Sequence, residues 1–277
     1  MIALEHREFV AALCAARAGL RVDPDRDYLI ESRLGPVARR EGFGSLTEFL
    51  DTVRRLDEPR LIQAAVEAMA PSESTFFRDP AVFETLVGEV LPDLVRASGG
   101  AGVRAWCAAC GTGQEVYSLA MRLADEPALA GRVELFASDL SERSLEKAQA
   151  GLYSQFEVQR GLPARRLVDG FEKQGELFAI SPRIRQMIRW RRVNLMEDFS
   201  VLGRFDLILC RNVLGTMTGE ARERAMAGLT GALTPRGRLV LGLSESAQAW
   251  LDPVDPAAGV HAARISGAGG SAARSAA

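Results

Sequence analysis

The chain has 277 residues, 47% of them apolar and 25% charged. That composition can bury a real core, which excludes global disorder, a collagen-like fibre and a disulfide-stapled miniprotein, and at about 150 residues per domain it predicts about two domains or one with an extension. With 34 basic against 36 acidic side chains and a net charge of −2, nothing global supports non-specific nucleic-acid binding, which rests on neutralising phosphates.

The opening "MIALEHREF" places charges where a signal peptide needs an apolar run. No apolar stretch reaches the roughly 18 residues of a membrane span. A soluble, cytoplasmic protein without membrane insertion is expected, and the irregularly spaced Cys14, Cys107, Cys110 and Cys210 read as reduced thiols. Residues 1–70 read as a small helical domain. Phe9, Leu13, Ala16 and Leu20 recur at helical spacing. Pro36 predicts a break or kink in a second helix ending near Gly42. Ser45 and Glu48 have the spacing of a capping box, and a further helix is expected over Pro59 to Met69. Residues 71–98 read as a linker, "PSESTFFRDP", and a leading helix after Pro80.

From residue 99 to about 250 the pattern changes. "VRAWCAA", "RVELFASD", "MIRWRRVN", "FDLILC" and "RLVLGL" read as strands, with helices between them. Apolar strands alternating with helices predict an α/β fold with a doubly wound, mostly parallel sheet. Residues 251–277, rich in Ala, Gly, Ser and Pro, read as a flexible tail, frayed after about Gly267.

The strongest chemical signal is "WCAACGTGQE". Gly111 and Gly113 lie between a strand and a helix, where glycine permits a tight turn and lets a ligand approach the backbone. The third glycine of a dinucleotide fingerprint is absent, since Val116 stands there, and no G-K-[ST] follows. A nucleoside without phosphates, such as S-adenosylmethionine, fits that pattern better than a pyrophosphate. Asp139 closes the next strand, where an acidic residue accepts ribose hydroxyls or caps the following helix. Asn194 and Leu195 end a later strand; an amide and an aliphatic group suit an adenine, and Leu195 also suits a core. Arg211 and Asn212 follow a buried strand, at a ligand-binding position or as a salt bridge and turn.

Taken together and in order, "ESTFFRD", "RAWCAACGTGQEVYSLAM", "LFASDLSERSLEKAQAGLYSQFEVQRGLP", "VNLMEDF", "GRFDLILCRNV" and "GRLVLGLSE" resemble the chemotaxis-receptor protein-glutamate O-methyltransferases (CheR-type methyltransferases) over about residues 5–245. The resemblance implies a helical N-terminal domain on a methyltransferase domain, with a small antiparallel insertion at about 155–188. It implies transfer of methyl from S-adenosylmethionine, leaving S-adenosylhomocysteine, to glutamate side chains in cytoplasmic helices of a chemoreceptor. By match to the family's motifs, Ser72, Ser74, Arg78, Glu115, Asp139, Asn194, Leu195, Arg211 and Asn212 would hold the cofactor beside Gly111 and Gly113. Glu115 would face its methionine portion, and Arg78 would cover the reacting centre.

Where the family reads "RNVLIYF" this chain reads "RNVLGTM", so Thr216 stands at the position of the family's active-site tyrosine. Position 72 is Ser in place of Asn, and Leu243 precedes "SE". Arg78 and Thr216 are therefore the catalytic candidates. Arg33, Arg39, Arg40, Arg54 and Arg55, with the insertion, offer a basic face to an acidic receptor helix. A binder of the cofactor or its product with little turnover, and a methyltransferase acting on another protein or a nucleic acid, stand as the alternatives. No metal is expected, since "CAAC" has no second pair of ligands, and nothing demands more than a monomer.

Overall fold

The computed structural model describes residues 2–23, 25–71 and 73–263. The chain begins with four helices: α1 (Leu4–Ala18), α2 (Asp27–Arg40), α3 (Leu46–Leu56) and α4 (Pro59–Met69). They close around Ile30, Leu34, Phe49, Leu50 and Val66. α1 buries His6, Val10, Cys14 and Ala18, whereas the expected stripe ran through Phe9 and Leu13. Those two only flank the core, and Ala16 is exposed. The innermost face carries a histidine, whose Nε2 lies 2.9 Å from Asp51 Oδ1, so apolar periodicity alone points to the wrong side.

α2 runs unbroken through Pro36. The missing N–H and ring clash cost about 3 kcal/mol in a helix interior. Burial of Ile30, Leu34, Val37 and Ala38 on the same helix outweighs that locally. At α3, Ser45 Oγ accepts from the Glu48 N–H at 3.1 Å. The Glu48 carboxylate reaches back to the Gly44 N–H instead of that of Ser45.

The leading helix consists of α5 (Pro80–Thr85), a π-turn over Leu86–Val90 and α6 (Leu91–Ala97). Pro92 lacks a donor, and a widened turn just before it accommodates the gap. Then follow β1 (Val103–Ala108), α7 (Gln114–Ala124), β2 (Val133–Asp139) and α8 (Glu142–Ala150). The insertion holds β3 (Leu152–Ser154), α9 (Gln155–Gln159), α10 (Ala164–Gly170), β4 (Phe171–Gln174), β5 (Leu177–Ile180) and α11 (Pro182–Arg185). The main sheet resumes with β6 (Ile188–Arg192), β7 (Phe205–Cys210), α12 (Gly219–Gly231), β8 (Leu233–Leu241), β9 (Asp252–Asp255) and β10 (Val260–Ala262).

The seven-stranded sheet has the order β6-β2-β1-β7-β8-β10-β9. Its first five strands pair in parallel, and β10 runs antiparallel to both neighbours. The insertion forms the expected small antiparallel sheet, in the order β3-β5-β4. Crossovers leave in opposite directions on either side of β1 and β7, so the carboxyl ends of those strands form the crevice where open sheets bind ligands.

Two elements differ from expectation. β8 begins at Leu233 and runs through Pro235 and Gly237, with a register shift that sets Phe205 opposite Leu233 but Leu207 opposite Arg238. The bulge lets a proline enter a strand otherwise forbidden to it. The stretch from Leu251, expected to be flexible, instead forms β9 and β10. Ala258 and Val260 are buried, and the left-handed Gly259 sits so close to β8 that a Cβ there would lie 2.4 Å from the Leu241 carbonyl oxygen. Small residues build that edge, and composition reads them as filler. The part expected to fray after Gly267 lies outside the described residues.

The helical domain meets the sheet through a short antiparallel pairing. The Arg21 N–H donates to the Thr216 carbonyl at 2.8 Å, and the Thr218 N–H to that of Gly19 at 2.9 Å. A Cβ on Gly19 would lie 2.4 Å from that of Ala221, so only glycine lets α1 end there.

Candidate functional site

The crevice begins with a turn that only special residues allow. Ala109, Gly111 and Gly113 all have positive φ after β1. A Cβ on Gly113 would lie 2.9 Å from that of Ala148 and 3.2 Å from the Tyr153 hydroxyl. The turn is tied to the end of β2: the Gly111 N–H donates to Asp139 Oδ2 at 2.7 Å and the Ser141 N–H to Oδ1 at 2.9 Å. Asp139 thus steadies the start of α8, whose N-cap is Ser141, and it also lines the cavity. Each carboxylate oxygen keeps a second lone pair for a ligand hydroxyl.

Asp139 lines a cleft of about 560 Å³, counting the part open to solvent, together with Leu140, Asn194, Leu195, Asn212 and Thr216. The helical domain supplies the opposite wall through Ala18, Leu20 and Ala70. Leu195 is both cleft wall and part of the core beneath it. The Asn194 amide is committed to the structure: Nδ2 donates to the Arg17 carbonyl at 2.8 Å, and Oδ1 accepts from the Met196 N–H at 3.0 Å. Its side chain docks α1 as well as facing the cleft.

A second group lies behind the turn. The Arg211 guanidinium is wholly buried. Nη1 donates to Glu115 Oε2 at 2.8 Å and to the Arg78 carbonyl at 3.2 Å, and Nη2 donates to Asp79 Oδ2 at 2.5 Å. Its Nε is buried without a partner. This group ties the linker to the sheet. Phe76 is held between the Tyr153 and Phe171 rings, at 5.1 and 5.6 Å, and the Phe77 N–H donates to Ser118 Oγ at 2.9 Å. Arg78 is left exposed and Ser74 half-buried; Ser72 lies outside the described residues.

One organising residue carried no role in the sequence reading. Glu245 accepts from the N–H groups of Asn212 and Gly242, both at 2.8 Å, and from that of Gly215 at 3.2 Å. It thereby fixes the left-handed Asn212 (φ +60) and the loop leading to Thr216. An acidic residue just beyond a buried strand at the crevice was the available signal. Thr216 stands at the cleft mouth, its hydroxyl donating to the Val213 carbonyl at 2.7 Å.

The five arginines expected to form a docking face have different surroundings. Arg33 donates to the Met69 carbonyl at 2.6 Å and lines a second cleft with Arg21, Arg26 and Thr216. Arg39 opens onto a different cleft beside Phe43. Arg40 pairs with Glu41, Arg54 with Glu5 and Asp51, and Arg55 is exposed. Arg21 and Arg26 were not anticipated because they lie in the irregular segment between α1 and α2.

Burial pushes the carboxyls of Glu115 and Asp139 above the usual carboxylate range, opposed by Arg211 at Glu115 and by backbone N–H groups at Asp139. A carboxyl raised on folding adds stability below its ordinary range, and that stability is lost as pH rises through the raised value. Affinity for a cationic ligand runs the other way. Lowering pH from neutrality toward the ordinary carboxylate range should therefore weaken S-adenosylmethionine binding before ordinary carboxylates titrate near 4. These two groups should not lower the thermal midpoint over that window. Calorimetric titrations and melts at each pH check this, and an affinity unchanged to about pH 4.5 would contradict it. Burial likewise pushes the Cys107 and Cys110 thiols up, so they stand protonated. Among the described residues, no group of three or more His, Cys, Asp or Glu is placed to hold a metal.

The donor set fits an adenosyl sulfonium. Asp139 faces the space beside a glycine turn that tolerates close approach, aliphatic groups line the cleft, and anionic Glu115 with the orphaned Arg211 Nε suits an amino-acid end. A family model described as "CheR methyltransferase, SAM binding domain" matches residues 72–255. Chemotaxis protein methyltransferase 1 of Pseudomonas aeruginosa is 37% identical over 249 residues, covering 87% of this chain and 88% of the relative. Chemotaxis protein methyltransferase Cher2 of Pseudomonas putida is 32% identical over 248 residues, covering 87% and 89%. Chemotaxis protein methyltransferase 1 of Vibrio cholerae is 33% identical over 247 residues, with the same coverage. The chain belongs to the CheR methyltransferase family and carries its S-adenosylmethionine-binding domain.

Proposed function

We propose that the chain transfers a methyl group from S-adenosylmethionine to glutamate carboxylates of a chemoreceptor-type signalling protein in the cytoplasm. The observation that carries this is the Asp139 carboxylate, bonded to the Gly111 turn and lining the cleft between the sheet and the helical domain. Membership of the family and the names of the relatives support the acceptor class. No helix of the described residues is long and apolar enough to cross a membrane.

Bound S-adenosylmethionine supplies an electrophilic methyl group. A glutamate with an ordinary pKa near 4.3 is already ionised at neutral pH, so no residue of this chain need act as general base. The work left to the protein is alignment and exclusion of water, and alignment alone can recover roughly 7–11 kcal/mol of barrier. The exposed Arg78, whose carbonyl accepts from Arg211, would orient an incoming carboxylate. Arg21, Arg26 and Arg33, lining the cleft beside Thr216, add positive charge along the approach of an acidic helix. Chemistry that rests on positioning survives the exchange of a tyrosine for Thr216, though with a shorter reach.

Labelled-methyl transfer to receptor cytoplasmic fragments tests the reading. The product should be a base-labile methyl ester, whereas N-methylation of a protein or nucleic acid would resist mild alkali. Thr216→Tyr should raise kcat by about fivefold, as one further hydrogen bond of about 1 kcal/mol implies. A second reading, a cofactor-binding regulator without turnover, draws on the Thr216 hydroxyl being engaged by its own turn. Cofactor binding with no transfer by either protein would establish that reading and end the first.

A further inference from the structure

Gly215 stands in the 3-10 turn Leu214–Thr216, beside the catalytic candidate Thr216. Its backbone is not left-handed, and a Cβ built on it would meet nothing within 4 Å. At Gly19, Gly113 and Gly259 a neighbour lies against the position where a Cβ would stand. At Gly215 neither conformation nor packing calls for glycine, and what the missing side chain does is leave space. Gly215 lines two hollows at once. One is the arginine cleft that it shares with Thr216. The other is a groove of about 880 Å³, counting the part open to solvent, between α12 and the loop that follows β8.

That loop is tied to the turn through Glu245 Oε1, which accepts from the Gly215 N–H at 3.2 Å. The turn follows β7 and the loop follows β8, so both stand at the carboxyl end of the sheet, on the rim where open sheets bind their ligands. Leu214, Met226, Ala249 and Trp250 supply the apolar lining of the groove. Trp250 keeps 38% of its surface exposed, whereas Trp106 is wholly buried and Trp190 packs on the core. Tryptophan offers a large apolar face and is enriched among the residues that anchor partners. The charges of the groove are offset or engaged: Arg222 and Glu223 cancel, and the Glu245 carboxylate is bonded to three N–H groups. Selection there is by shape and apolar contact. The neighbouring cleft, with Arg21, Arg26 and Arg33 against Asp23, carries the positive charge.

We infer that Gly215 and Trp250 determine which acceptor is chosen: Gly215 opens the arginine cleft into the groove, and Trp250 receives there a large apolar side chain of the acceptor helix, one turn away from the glutamate that takes the methyl group. Side chains three and four residues apart share one face of a helix, and one turn advances about 5.4 Å. Gly215 and Thr216 are adjacent residues, so a helix that presents its glutamate at Thr216 brings the side chain one turn away to the groove. The basic cleft takes the acidic part of that helix, and the groove takes the apolar part of the same helix. The inference rests on the proposed transfer to helical glutamates and adds what selects among them.

The test is labelled-methyl transfer by the full chain to two versions of one helical receptor cytoplasmic fragment with a single methylatable glutamate. One version carries leucine, the other alanine, four residues away from that glutamate on both sides. The parent should show a kcat/KM about tenfold higher on the leucine fragment, chiefly through KM. Gly215→Ile fills the opening and Trp250→Ala removes the apolar wall, and each should bring the two fragments to within about twofold of one another. Melting curves show whether each variant folds, and the parent's own preference needs no variant. Equal use of the two fragments by the parent, or a preference that survives in either folded variant, would overturn the role of the groove. A parent chain that transfers methyl to neither fragment would instead remove the proposed reaction itself, and the inference with it.

Discussion

Asp139→Asn should raise the dissociation constant for S-adenosylmethionine about a hundredfold. Both carboxylate oxygens accept backbone hydrogen bonds, from Gly111 at 2.7 Å and Ser141 at 2.9 Å. An amide has one acceptor and one donor group, so its NH₂ must face one of those N–H groups. That clash is a cost to the folded chain with or without ligand; for binding, losing a hydrogen bond from a ribose hydroxyl to a charged group costs about 1.5–3 kcal/mol. A loss near 3 kcal/mol corresponds to somewhat more than a hundredfold in affinity. The same substitution removes a carboxylate whose burial is unfavourable, so the thermal midpoint should move by only a few degrees. Titration calorimetry beside a melting curve separates the two effects, and a dissociation constant within threefold of the parent's would contradict the assignment.

Glu245→Ala should be the most destabilising single change outside the hydrophobic core. It strips the partner from three N–H groups, those of Asn212, Gly215 and Gly242. At about 1 kcal/mol each for partly solvated groups, the loss is about 3 kcal/mol. With roughly 2–4 °C per kcal/mol for a protein of this size, the midpoint should fall by about 6–12 °C. Glu245→Gln retains one acceptor oxygen. Placed where Oε2 now serves both Asn212 and Gly242, it should lose only the Gly215 bond, and so about a third of the effect. Turnover should fall in both variants, because the loop running from Asn212 to Thr216 loses its anchor. A midpoint within 2 °C of the parent's in Glu245→Ala would show that solvent replaces the carboxylate at little cost.

How much of this was legible beforehand depended on the kind of signal. Gly111, Gly113 and Asp139 could be read because a glycine turn and an acidic strand end are local requirements of backbone geometry. The structure brings Gly111 and Asp139 within one hydrogen bond. The parallel sheet was legible because its strands are continuous apolar runs flanked by helical periodicity. Asp79 and Glu245 were not, since each acts on a partner more than thirty positions away, Arg211 for one and Asn212 for the other. Asn194 was read for its chemistry alone, whereas its amide also fastens α1 to the sheet. Helical placement does not reveal which guanidinium already has a partner within the chain; Arg33, Arg40 and Arg54 all do. The edge strands at 252–262 escaped notice because Ala258, Gly259 and Val260 bury little individually, and their value lies in fitting closely against β8.

The most direct measurement of the central claim is a crystal structure of the full chain with S-adenosylhomocysteine bound. The ribose hydroxyls should lie on the free lone pairs of Asp139, the adenine against Leu195, and the amino-acid end toward Glu115 and Arg211, with the Gly111–Asp139 bond intact. An adenosine seated elsewhere, or an Asp139 side chain turned away from the sugar, would contradict the account.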